Sequence, residues 1–136
     1  MLSCTVRIDC NVAKRLMHDK GICGQLHGYR ISVEATVTAN KKAGDKVIDF
    51  YELKEKLQAW CDQNWEHNVI LNKADTLGRA ISKITGQKIF YTKGEPTAEA
   101  LALYLKDVVV PSFLPKGAVC QSVRVYDTAT SWVTAQ

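Results

Sequence analysis

The chain has 136 residues, 46% of them hydrophobic and 24% charged. That is one globular domain's worth of sequence, which excludes disorder as a description of the whole, and no apolar run is long enough to span a membrane. Lys and Arg number 18 against 14 Asp and Glu, a net charge of +4. The basic residues are scattered and no recognition pattern accompanies them, so the charge is a poor case for nucleic acid and is at least as compatible with a small anionic substrate. The start, Met1-Leu2-Ser3-Cys4, lacks the basic and apolar blocks of a signal peptide, so a cytoplasmic protein with reduced cysteines is expected.

Leu2, Cys4, Val6, Ile8 and Cys10 alternate with mostly polar residues and predict a half-buried strand. Residues 11–28 break the alternation, contain Gly21, Gly24 and Gly28, and read as a long functional loop. Alternation returns at Ile31, Val33, Ala35, Val37 and Ala39, a second strand with one covered face. A turn follows at residues 40–45 and holds the densest basic pair, Lys41-Lys42, read as a solvated tip.

Asp49, three residues before Glu52, marks a helix start, and Phe50, Leu53, Leu57, Trp60 and Cys61 carry its stripe. Residues 77–84 suit a short helix and 88–92 a short strand. A second main helix begins after Pro96 with Thr97 as its N-cap, runs on Leu101, Leu105 and Val108, and is expected to stop at Pro111. Val119, Gln121, Val123, Val125 and Asp127 alternate on one face of a third strand, and residues 131–135 form a fourth. Strands grouped apart from helices imply an α+β domain over 1–136, a four-stranded antiparallel sheet with two helices on one face.

Three polar clusters could carry chemistry: Lys14, His18, Cys23, His27 and Tyr29 around the long loop; Glu66-His67 after the first helix; and Asp127-Thr128 at a strand end. A cysteine, a histidine and a carboxylate are the minimum set for a thiol that moves protons, with Glu66 orienting His67. From spacing alone, the alternative is a loop cysteine, a histidine at a helix end and a solvated glutamate. Cys23, His27 and His18 could also be read as metal ligands. Trp60 and Trp65 read as packing residues.

Together these segments resemble the 6-pyruvoyl-tetrahydropterin synthases and the 6-carboxytetrahydropterin synthases of queuosine biosynthesis. Cys23-Gly24-Gln25-Leu26-His27-Gly28 resembles that family's C-G-x-x-H-G-H loop, and Val47-Ile48-Asp49-Phe50-Tyr51-Glu52-Leu53-Lys54 its V-x-D-F-x-E-L-K helix start. Glu66-His67 with Leu71-Asn72, Pro96-Thr97-Ala98-Glu99, and Val123-Arg124-Val125-Tyr126-Asp127-Thr128 are similar to three further family segments.

The resemblance implies a tunnelling fold, sheets joined into a barrel in a trimer or hexamer, and active sites between subunits. It also implies side-chain chemistry on 7,8-dihydroneopterin triphosphate. By this resemblance Cys23 moves protons, His67 and Glu66 assist it, Asp127 grips the amino-pyrimidine edge of the pterin, and Thr97 and Glu99 line its pocket.

The family's zinc site is where the sequence departs. Lys14 and Tyr29 stand at two of three ligand histidines and only His27 remains. Glu66 and Asp127 also stand where the family has Asp and Glu. Three readings follow: a lyase in which Lys14 acts on substrate in place of the metal, a catalytically inactive homologue that binds a pterin or purine, or a shifted metal set of Cys23, His27 and His18.

Overall fold

The computed structural model describes residues 1–39 and 45–136. The Lys41-Lys42 pair and the turn expected at residues 40–45, save Asp45, lie outside that range. Strands β1 (Ser3–Lys14) and β2 (His27–Ala39) pair antiparallel along their full length, from Ser3 opposite Thr38 to Lys14 opposite His27. Helix α1 (Phe50–Asn64), β3 (Asn68–Asn72), α2 (Leu77–Thr85) and β4 (Phe90–Thr92) follow. Then come α3 (Ala98–Tyr104), a π-helical turn (Leu105–Val109), α4 (Val110–Phe113), β5 (Ala118–Thr128) and β6 (Ser131–Ala135).

Among the described residues the sheet has six strands rather than four, in the order β4-β3-β1-β2-β5-β6. The four expected strands are the contiguous antiparallel set β1, β2, β5 and β6. The two additional strands run parallel: β3 beside β1, and β4 beside β3. Strand β3 is the one the sequence hides. It is buried at four of its five positions, so it shows no alternation.

Alternation in β1 places Val6, Ile8, Cys10 and Val12 on the inner face, and β2 adds Ile31, Val33, Ala35 and Val37. Helix α1 packs Leu53, Leu57 and Cys61 on that layer, and α3 with the π turn packs Leu101, Ala102, Leu105 and Val109 on the same layer, giving one core. Asp49 caps α1, accepting from the backbone N–H groups of Tyr51 (2.8 Å) and Glu52 (3.3 Å). Glu52 pairs with Lys56 one turn on (2.9 Å). No described helix is long and apolar enough to cross a membrane. Among the described residues the five cysteines are all unpaired.

Three expectations change in detail. Pro111 does not end the third helix. It sits in the first turn of α4, which continues directly from the π turn, and the π turn re-phases the helix so that Val109 is buried and Val108 exposed. In β5, Val119 and Gln121 do not share a face with Val123 and Val125. Thr36 pairs with Ser122 but Val37 with Cys120, so Gln121 is extra and the bulge turns Cys120 inward. Finally, β1 runs four residues beyond Cys10 and β2 begins at His27, which shortens the long loop to residues 15–26.

Candidate active site

Lys14 is in phase with Val6, Ile8, Cys10 and Val12, so β1 delivers its side chain to the inner face at one end of the core. Tyr29 continues the inner face of β2 to the same end, and Asp127 that of β5. Asp127 sits in a second bulge: Tyr126 pairs with Trp132 and Thr128 with Ser131, leaving Asp127 without a partner in β6. Bulges re-aim side chains, and this one turns the carboxylate to the end of the core.

The loop after β1 folds back on itself. Leu16 N–H donates to Cys23 C=O (2.9 Å), Asp19 N–H to Leu16 C=O (3.0 Å), and Gly21 N–H to the Asp19 carboxylate (2.6 Å). Cys23 therefore lies in a single 3₁₀ turn, Ile22–Gly24, beside the end of β1. On the far side, Thr97 caps α3 by accepting from Ala100 N–H (3.1 Å), which places Thr97, Ala98 and Glu99 opposite the sheet.

Lys14, Cys23, Tyr29, Thr97, Glu99 and Asp127 together line a cleft of about 250 Å³, closed on its β6 side by Ser131, Trp132 and Val133. Five of the predicted site residues, far apart in sequence, thus meet in one place. The β6 wall was not anticipated; its only sequence signal is Trp132, an aromatic just across the turn from Asp127.

Lys14 is only 2% exposed, and its Nζ lies 3.0 Å from Oδ1 of Asp127 and 4.3 Å from the centre of the Tyr29 ring. The Asp127 contact is an ion pair without an aligned hydrogen bond, since Oδ1 is shielded from solvent and accepts none. The Asp127 side chain is otherwise 32% exposed. Tyr29 is pushed up to about 12 by burial, with the Asp127 carboxylate and Cys23 adding to the effect. It remains a neutral phenol.

Glu66 and His67 lie elsewhere. They follow α1, and His67 lines a second depression with Asn11, Ala13, Gly28 and Arg30, the residues that alternate with the inner set. Glu66 accepts from the backbone N–H of Asn11 (2.8 Å) and from its side-chain amide (3.0 Å). Burial opposes its ionisation, but the Asn11 donors win and hold the carboxyl below its ordinary range. His67 Nδ1 is 2.9 Å from Glu66 Oε1, its ring is 82% exposed, and its backbone is left-handed, φ 57°. The Glu66 carboxylate thus lies against the His67 ring, but one chain does not bring this pair to Cys23. Asn11, which holds Glu66, carries no sequence signal.

His27 is exposed, its Nδ1 2.8 Å from Gln25 C=O and its ring 4.3 Å from that of Tyr29. Among the described residues no three His, Cys, Asp or Glu side chains converge as metal ligands. The donors at the three family ligand positions are an ammonium, a phenol and one imidazole, which do not fit zinc.

A family model described as 6-pyruvoyl tetrahydropterin synthase matches residues 3–136. The chain belongs to that family. It is 39% identical to the 6-carboxy-5,6,7,8-tetrahydropterin synthase of Rickettsia typhi, over 98% of this chain and 99% of that one. It is 36% identical to the protein of the same name from Rickettsia conorii, with the same coverage. Among solved structures, an uncharacterized protein from Wolinella succinogenes superposes with a TM-score of 0.82 at 16% identity, covering 98% of this chain and 97% of that one. The 6-pyruvoyl tetrahydropterin synthase of Caenorhabditis elegans gives 0.68 at 16% identity, covering 99% and 94%. These two likenesses establish the family's α+β fold for this chain.

Proposed function

We propose that the chain is a 6-carboxytetrahydropterin synthase-type lyase that acts on the side chain of 7,8-dihydroneopterin triphosphate. The observation that carries this is the 39% identity, over nearly the full length of both chains, to a relative bearing that name. The solved neighbours named for the pyruvoyl reaction are far more distant in sequence and speak to fold alone. The reading as an inactive pterin-binding homologue finds no support over this one.

The cleft's own groups suggest the division of labour. The exposed part of Asp127 faces the cleft and accepts an N–H or O–H bond from the ligand, a charge-assisted contact. Oδ1 already faces Lys14, so the grip is made chiefly by the other oxygen. Cys23 moves protons at the side-chain carbons, and Thr97 and Glu99 line the pterin pocket. The Glu66-His67 pair completes the site from a neighbouring copy of the chain in a barrel-forming oligomer, trimer or hexamer. That arrangement would also cover the exposed outer strand of the sheet.

The test is mass spectrometry of the products after mixing the purified protein with 7,8-dihydroneopterin triphosphate. Conversion to 6-carboxytetrahydropterin is expected, with release of inorganic triphosphate and of the other two side-chain carbons as acetaldehyde. Unchanged substrate, in protein shown to be folded and oligomeric, would overturn the assignment.

A further inference from the structure

We infer that Lys14 is the oxygen-binding cation of the cleft, so that this chain holds the oxygenated side chain of its ligand without a metal ion. The inference rests on the pterin reading above and goes beyond it in assigning a residue and a metal requirement. Lys14 is 2% exposed, yet the structure gives its ammonium no aligned hydrogen bond. Its surroundings are one carboxylate oxygen at 3.0 Å and an aromatic face at 4.3 Å.

Burying an ammonium costs several kcal/mol in general, and one ion pair with a cation–π contact offsets only part of it. The three N–H donors of Lys14 have one charged partner, the Asp127 carboxylate. Those donors border a cleft that also holds Cys23, the candidate proton carrier. A fixed positive charge in a site of low polarity attracts an oxygen lone pair, and more strongly as that oxygen gains negative charge. Such an oxygen belongs to the hydroxyl or carbonyl groups of a pterin side chain.

A divalent cation would have to share this point with the ammonium. Like charges at contact distance in a buried site repel, and the remaining ligand-type side chain, His27, is turned to the Gln25 carbonyl. Lys14 and a metal are therefore alternatives, and the sequence has taken Lys14.

Two measurements test this. The first is metal analysis of the unaltered protein after incubation with zinc and desalting, paired with turnover in the presence of a chelator. Zinc well below one per chain is expected, with turnover unaffected by the chelator. Stoichiometric zinc, or turnover abolished by the chelator and restored by zinc, would overturn the inference. Absence of turnover under every condition would count against the lyase reading and leave the metal content to be judged by itself.

The second is binding of 7,8-dihydroneopterin and of 7,8-dihydropterin, which lacks the side chain, to the unaltered protein and to Lys14→Met. The substitution should weaken dihydroneopterin by about tenfold or more and change dihydropterin by less than about twofold. Lys14→Arg, which keeps the charge, should retain most of the preference. An equal change for both ligands, no change, or no preference in the unaltered protein would each overturn the assignment. Because Lys14→Met leaves Asp127 without its counter-charge, folding of the variant is checked by circular dichroism. The metal measurement stands whether or not that variant folds.

Discussion

Arg15 and Asp75 form a two-point pair: Nε and Nη2 of Arg15 donate to Oδ2 and Oδ1 of Asp75, each at 2.7 Å. Arg15 directly follows Lys14, so this pair pins the strand end that carries the buried ammonium. Asp75 also accepts from Leu77 N–H at 3.0 Å and so starts α2. One carboxylate thus ties β1, the segment after β3 and a helix together.

Asp75→Asn should therefore cost about 2–3 kcal/mol at neutral pH, below a fully buried pair because Arg15 is partly exposed. The Arg15 hydrogen bonds, working against burial, hold the Asp75 carboxyl below its ordinary value of 3.8. A depressed carboxyl contributes stability above the unfolded value, and loses it as pH falls through the native value. Urea unfolding should show the full gap between the two proteins at pH 7 and a shrinking gap below about pH 4. A constant gap across that range would mean that the charge is not what matters.

The antiparallel half of this fold is legible because one covered face forces alternation in Val6, Ile8, Ile31, Val33, Val123 and Val125. Of the two parallel strands, β4 is legible within residues 88–92 but β3 is not, because it is buried on both faces. Alternation alone leaves Lys14 outside β1, because a charged residue interrupts an apolar pattern even when it is in phase with it. The bulge at Gln121 leaves no mark at all, since it depends on how β2 and β5 register. At the site, the residues were legible through their segments, but their grouping was not. Cys23 and Asp127 meet because a loop folds back and a strand bulges, whereas Glu66-His67 falls on the other face of the sheet.

His67 is the one non-glycine residue with a positive φ among the described residues, at 57°. Its ring is largely in solvent, so it contributes little packing that would hold this backbone. A left-handed histidine costs on the order of 1 kcal/mol, which glycine relieves. His67→Gly should leave thermal stability unchanged or slightly raised while activity falls by about a hundredfold or more, as loss of a proton-transfer group does. Retained activity would make His67 a solvated residue.

Gly24 holds Cys23 in place by having no side chain. A Cβ there would run into the backbone oxygen and carbon of Asp19, which cannot swing away. Gly24→Ala should destabilise by about 1–3 kcal/mol. It should also lower activity by about a hundredfold, because the turn must shift and carry the thiol with it. Gly94 provides the control: nothing lies within 4 Å of its added Cβ, so Gly94→Ala should stay within about 0.5 kcal/mol of the parent. Equal effects from the two substitutions, read by unfolding and by initial rates, would count against steric placement of Cys23.

Trp65 immediately precedes the Glu66-His67 pair and is fully buried. Its ring meets Trp60 edge-on at 5.1 Å and Phe90 at 5.8 Å, while its Nε1 is buried without an acceptor. The indole thus brings a large packing gain and an unpaired donor together. Trp65→Ala should cost about 3–5 kcal/mol through the cavity it opens. Trp65→Phe loses part of the packing but also removes the unpaired N–H, whose burial costs about 1–3 kcal/mol. The two changes nearly cancel, and Trp65→Phe should fall within about 1 kcal/mol of the parent. Activity should be kept in Trp65→Phe, because the backbone bond from Trp65 N–H to Cys61 C=O (2.8 Å) that sets up the turn to His67 does not involve the ring. Chemical denaturation of both variants decides the matter. A cost for Trp65→Phe as large as that for Trp65→Ala would show that the indole nitrogen is bonded after all, and that the aromatic cluster depends on that bond rather than on shape.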